Sequence, residues 1–455
     1  MNPEKIERNF KNYFPSPFSL AILLSLLTFL LALLFMEDEP GQNKIIALSN
    51  YWYEGLWDKG AGGLYFAFQM MLILVLGHTL ALSKPFNTLI QKLLLFCTNR
   101  VNAVVVLSSS TILLGYLNWG LALIFGALFA RKIGEYFQHK EKSINYALLG
   151  ACGYLGLLVW HGGFSGSAPT KVMEADYLKA IGFESLSIPI ETTLFSPLNI
   201  FVCILLLLLI PLVMGFISKR NAGQIPQLST REKEETNSST ILRLGLAEKF
   251  EFKSWISKSL GVLILLVALQ QAITYEGKSS MGFIQPNYIN FCMLGLALIF
   301  HQNLNSFLKA IDDAIGGASG ILIQFPLYFG ILGILKGSGL IFMFTEFIIT
   351  FASADSLPFF TFISAGIVNF FVPSGGGQWA IQGPIIIESA QQLNADLPKT
   401  VMAMAYGDEL TNMLQPFWAL PLLAVTKLKA YQILPFTFIL FCIATLIFMS
   451  GLLLF

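Results

Sequence analysis

Charge is what this sequence has least of. Asp, Glu, Lys and Arg make up only 12% of the 455 residues, against 55% hydrophobic. A soluble chain of this length needs far more polar surface, so the composition excludes a water-soluble globular protein and points to a polytopic membrane protein in contact with lipid. Lys and Arg (28) nearly balance Asp and Glu (27), which leaves no basic excess for nucleic acid. Cysteine is scarce too. Cys97, Cys152, Cys203, Cys292 and Cys442 all fall in apolar segments without paired spacing, so neither a disulfide framework nor a thiolate metal site is expected. The nucleotide loop Gly-x-x-x-x-Gly-Lys-Ser/Thr is missing, as are a metal-ligand cluster and a hydrolase serine motif. An intramembrane enzyme would have Asp408 and His161 as an acid–base pair but no nucleophile.

What is present is a series of apolar runs. The first, Pro17–Met36, is about full spanning length and ends in Glu37-Asp38-Glu39 with no small-residue cleavage site. It reads as a transmembrane helix and not as a removed signal. Further spans are expected at Gly63–Ala81, Asn145–Pro169, Leu194–Ile217, Ile256–Tyr275, Tyr288–Gln302, Gly320–Lys336, Thr400–Val425 and Ile433–Leu454. Residues 101–130 and 358–388 are each too long for one helix and broken in the middle. Both are read as re-entrant hairpins, led into by amphipathic arms at Lys84–Arg100 and Gly339–Asp355. The hydrophilic stretch at 218–255, with Arg231–Asn237 at its centre, reads as a cytoplasmic linker between a first repeat (1–217) and a linking helix with a second repeat (256–455).

With a cytoplasmic amino terminus in a cell inner membrane, most Lys and Arg residues fall inside, provided both hairpins return to the side they left. The halves also echo at a constant offset, which pairs Gly62 with Gly317, Gln69 with Gln324, Ser109 with Ser364 and Trp160-His161 with Gln415-Pro416. An odd number of crossings between matched elements makes the second copy inverted. The expected fold is therefore all-α and polytopic, with two inverted-topology repeats, each holding a hairpin and an interrupted helix. Broken helices meeting at mid-membrane are a mark of secondary transporters.

Function should lie at the breaks, because unpaired backbone inside a membrane survives only in a protein interior or beside a wet cavity. In Phe370–Glu388, Gly375, Gly376 and Gly377 with Pro373 and Pro384 are expected to interrupt any helix. Free amides there, beside Ser374, Gln378 and Trp379, would attract an anion. The other tip is Asn118-Trp119-Gly120. One interrupted helix carries His161, Gly162, Gly163, Ser165 and Ser167, and the other carries Asp408, Glu409, Asn412 and Gln415. Asp408, Glu409 and Asn412 are expected to hold a coupling cation, since intramembrane carboxylates are costly unless used. The other residues named here are expected to hold substrate, with Phe164, Trp119, Trp379, Phe417 and Trp418 as an apolar wall. No Lys or Arg is placed at mid-membrane, which suits a small monovalent carboxylate held by amides and hydroxyls.

The stretch Val372-Pro373-Ser374-Gly375-Gly376-Gly377-Gln378-Trp379-Ala380-Ile381-Gln382-Gly383-Pro384 resembles the bacterial short-chain fatty acid transporter family. So do Tyr406–Pro421, Leu117–Gly120 and His161–Pro169, and the resemblance covers nearly the whole chain. It implies membership of the ion transporter superfamily, elevator-type motion in a homodimer, and a substrate such as butyrate or acetoacetate. The Ser-Asn-Thr tips of dicarboxylate-carrying relatives are absent, so sodium and protons both stay open as coupling ions. No other cofactor is expected, and a channel is the alternative class.

Overall fold

A computed structural model describes residues 17–37, 43–57, 63–183, 186–221, 250–275, 283–370, 372, 375–415 and 418–455. Most of the 218–255 linker, and with it the charged run 231–237, lies outside these. All secondary structure among the described residues is helical. The first half holds α1 (Pro17–Phe35), α2 (Lys44–Leu56), α3 (Gly63–Ala81), α4 (Lys84–Leu94), α5 (Arg100–Leu117) and α6 (Trp119–His139). It continues with α7 (Tyr146–Gly153), α8 (Gly156–Val159), α9 (Ser167–Lys171), α10 (Ala175–Ala180) and α11 (Pro197–Arg220). After α12 (Ser254–Ile273) come α13 (Pro286–Phe300), α14 (Leu304–Ile315), α15 (Ser319–Gly337), α16 (Leu340–Phe351) and α17 (Leu357–Asn369). The chain ends with α18 (Gly375–Leu393), α19 (Leu397–Thr411), α20 (Leu420–Thr426) and α21 (Ala430–Leu454).

Among the described residues, five helical stretches are long and apolar enough to cross a membrane, and a sixth if α3 and α4, bent by 58°, count as one. Their outer faces carry bare apolar side chains, among them Leu34, Leu212, Leu263 and Leu446. In water these would be a liability; against lipid they are expected.

The expected breaks occur, with three corrections. Gly375–Gly377 are not a non-helical tip: they form the first turn of α18, and α17 ends before them at Asn369. Pro384 does not interrupt the helix but sits inside it. The second hairpin was expected to have two arms of about half a span: α17, with 13 residues, is short, but α18 has 19. Two amphipathic helices, α2 and α14, were not foreseen.

The halves are related by more than helix order. Shifting α3, α4, α5 and α6 by 255 positions lands on α15, α16, α17 and α18 within three residues. The packing is reciprocal and exchanged between halves. Helices α1 and α2 pack on α15, and their counterparts α13 and α14 pack on α3. Likewise α9 packs on α18, and its counterpart α20 packs on α6. The Asn412 side chain donates to the Leu157 carbonyl at 3.1 Å, and these two positions stand 255 apart. Near a two-fold relation between the halves, equivalent positions come into contact in this way.

Candidate functional site

The four irregular points converge. At the first, Asn118 accepts from the Leu121 amide at 2.8 Å and so caps α6, while its amide nitrogen reaches the Ile73 carbonyl. The next amide, Trp119, donates to Ser165 Oγ at 3.0 Å and ties this tip to the first interrupted helix. The Trp119 ring meets Trp160 and Trp418 edge-on, with centroids 5.9 and 5.2 Å apart. Trp160 in turn lies against the His161 ring.

Between α8 and α9 the chain passes through a 3-10 turn (Trp160–Gly162) and an extended Gly163. His161, buried there, faces the other half. Its amide donates to Glu409 Oε2 at 2.8 Å, and the Gly162 amide adds a second bond to the same carboxylate. Its Nε2 stands 3.4 Å from Asp408 Oδ1. Neither ring nitrogen of His161 nor either carboxylate oxygen of Asp408 has a hydrogen-bond partner among the described residues. Asp408 and Glu409 are each 1% exposed, so neither carboxylate is hydrated from the surface.

The second break comes to the same place. A Cβ added at Gly375 would lie 2.3 Å from His161 Nε2, so the opening turn of α18 sits directly against that ring and any side chain there must displace it. At the far end of α19, Asn369 Nδ2 lies within reach of the Asp408 carbonyl, Thr411 Oγ1 and Asn412 Oδ1. Gln415 Nε2 donates to the Asn369 carbonyl at 3.2 Å, and the Tyr154 hydroxyl donates to that of Asn412 at 3.3 Å.

Not every expected residue joins this cluster. Gly120 packs on the backbone of Leu74, and Gly163 packs on that of Tyr116. Ser167 Oγ faces Met70 Sδ, and Gly377 faces the Tyr328 ring. Gln378 donates to the Ala365 carbonyl and to Gln382, while Trp379 is buried in a separate apolar cluster with Ala168 and Val172. Gly376 is buried in the same first turn of α18. Ser374 and Phe417 lie outside the described residues.

Sequence reading missed Asn369, Thr411 and Tyr154, which sit in or beside apolar runs. It also missed Asn199, which accepts from the Tyr406 hydroxyl at 3.0 Å and donates to the Gly162 carbonyl at 2.9 Å. Lys171, which the charge count places among the few external lysines, is fully buried and pairs with Glu174 at 2.7 Å.

Broken helices from both halves, closed on a buried set of carboxylates, imidazole, amides and helix ends, define the class: a multi-pass membrane transporter. The comparisons then give the family. The family model described as "Short chain fatty acid transporter" matches residues 4–455. A protein of Escherichia coli strain K12 is 35% identical over 447 residues, covering 97% of both chains. One of Haemophilus influenzae is 34% identical over 452 residues, covering 96% of this chain and 94% of its own. Both are provisionally named short-chain fatty acid transporters.

The chain belongs to the short-chain fatty acid transporter family, whose members are transporters and not enzymes. Two solved structures share the fold at 13% identity. The YdaH transporter of Alcanivorax borkumensis has a TM-score of 0.58, with 97% of each chain covered. MtrF of Neisseria gonorrhoeae, placed in a class of antimetabolite efflux pumps, has a TM-score of 0.51, with 99% of this chain and 96% of that chain covered.

Proposed function

We propose that this protein is a secondary carrier for short monocarboxylates such as butyrate or acetoacetate, driven by a co-transported cation. The observation that carries the reading is the meeting of His161, Asp408 and the first turn of α18, where both His161 ring nitrogens and both Asp408 carboxylate oxygens are buried with no hydrogen-bond partner among the described residues. The amino-terminal amides of α18 and the His161 ring suit a carboxylate. Asp408 supplies the negative charge that a cation or proton would neutralise. Trp119, Trp160 and Trp418 form an apolar wall for a short alkyl chain.

The two halves are read as inverted repeats, 1–217 and 256–455, with the amino terminus cytoplasmic, and each broken pair as a hairpin returning to the side it left. Alternating access is elevator-type, within a homodimer. An apolar cavity of about 620 Å³ between α1, α15, α16, α17 and α18, lined by residues such as Leu24, Ile331, Phe360 and Ile385, supports that reading. It leaves room for α17 and α18 to slide against the scaffold.

The test is uptake of labelled butyrate into proteoliposomes, with sodium and proton gradients imposed separately. Concentrative uptake driven by one of them is expected. Passive equilibration that ignores both gradients would identify an anion channel instead.

A further inference from the structure

Interrupting a helix inside a membrane frees main-chain groups, and each of them needs a partner. In the first interrupted helix these are amides, those of His161 and Gly162 in the 3-10 turn. In the second they are carbonyls, those of Asn412 and Gln415 beyond the end of α19. Each set is served by a side chain from the opposite half. Glu409 Oε2 accepts from the His161 amide at 2.8 Å, and the same carboxylate takes the Gly162 amide. The Tyr154 hydroxyl lies 3.3 Å from the Asn412 carbonyl and 3.5 Å from that of Gln415, so its one hydrogen is shared between them.

Tyr154 and Glu409 stand 255 positions apart, the offset that also relates Leu157 to Asn412. One position of the repeated fold thus does the same job twice, with the chemistry inverted. A carboxylate only accepts, as freed amides require; a hydroxyl donates, as freed carbonyls require. Both side chains are buried. The adjacent carboxylate is spent differently: neither oxygen of Asp408 has a hydrogen-bond partner among the described residues, whereas Glu409 is occupied by main chain. Asn199 completes the hold on the first break by donating to the Gly162 carbonyl at 2.9 Å. Glu409 and Asn199 together fix the turn that presents the His161 ring, with its Nε2 3.4 Å from Asp408 Oδ1.

We propose that Tyr154 and Glu409 are a pair of positioning residues, each closing the break of the opposite half, so that the two interrupted helices move as one body. Glu409 acts through His161 and is not a ligand for the coupling cation. Its part in uptake rests on the carrier reading, but the brace between the halves does not.

Two measurements separate these claims. Amide hydrogen exchange of the purified full-length protein reports the brace. Segment 160–163 should exchange at least roughly tenfold faster in Glu409→Ala, which removes the acceptor. Tyr154→Phe, a milder change, loosens the second break and should quicken exchange in the same segment, because the breaks are joined. Unchanged exchange in either variant overturns the brace, whatever the transport result. Uptake kinetics report the positioning. Glu409→Ala should raise KM for butyrate at least roughly tenfold. Glu409→Gln, which keeps an accepting oxygen and loses the charge, should recover most of that loss. A wild-type KM in folded Glu409→Ala protein would reduce the contact to a structural one, and a Glu409→Gln variant as inactive as Asp408→Asn would make Glu409 a charge carrier. Either result overturns the positioning role. Released amides in a protein that takes up no butyrate would sink the carrier and spare the brace.

Discussion

The two halves repeat each other in backbone and diverge in chemistry. Around the second break stand Asn369, Asp408, Thr411 and Asn412; at the equivalent positions in the first half stand Leu114, Gly153, Gly156 and Leu157. There the glycines permit close helix contact, with a Cβ at Gly126 meeting the Gly153 carbonyl at 2.1 Å. One copy has become a tightly packed wall and the other a polar site facing it. A duplicated fold therefore carries one cluster of this kind, close to the line where the halves meet.

The sharpest way to break this contrast is Asp408→Asn, which should reduce butyrate uptake to background while the protein remains monodisperse in detergent. Wild-type uptake in that variant would remove the second half's claim to the chemistry. Gly126→Val should do the opposite. It drives a side chain into backbone, costs at least the roughly 1–3 kcal/mol of ordinary overpacking, and should lower the melting temperature or abolish folding.

Lys171→Met leaves Glu174 buried and unpaired, at a cost of about 3–5 kcal/mol in thermal unfolding. Lys171→Met with Glu174→Leu should recover most of that loss. Gly375→Ala should be milder than Asp408→Asn, because the blocking atom is a ring nitrogen that can shift. A raised KM for butyrate with stability little changed is expected from uptake kinetics. The smallest effect should come from Trp418→Phe, which keeps an aromatic face against Trp119 and should alter chain-length preference more than rate.

Much of this was legible in the sequence because Gly, Pro and polar residues inside apolar runs mark breaks at membrane depth. The breaks at Asn118, at Trp160–Gly166 and after Thr411 follow from that rule. Gly375–Gly377 misled for a physical reason. Glycine costs a helix only about 1 kcal/mol per residue, and packing against His161 and Tyr328 favours the residue that has no side chain to remove. Pro384 misled similarly, since a buried helix tolerates one lost bond. Helices α2 and α14 were invisible to a scan for apolar runs because their apolar residues form a stripe. Asn369 gave no signal, since its partners are distant in sequence and its neighbours are Val368 and Phe370. Lys171 shows the converse, a charge whose partner Glu174 stands only three residues on but whose burial comes from the packing around both.

The exchange of α2 and α14 between halves governs how the protein can be made. Helix α2 rests on α15, where a Cβ at Gly55 would meet the Phe329 carbonyl at 2.4 Å. At a synthesis rate of about 5–20 residues per second, α2 leaves the ribosome roughly 15–55 seconds before its seat exists. During that interval the nascent first half must be kept from aggregating, and a polypeptide ending at Arg220 would never acquire the surface it needs.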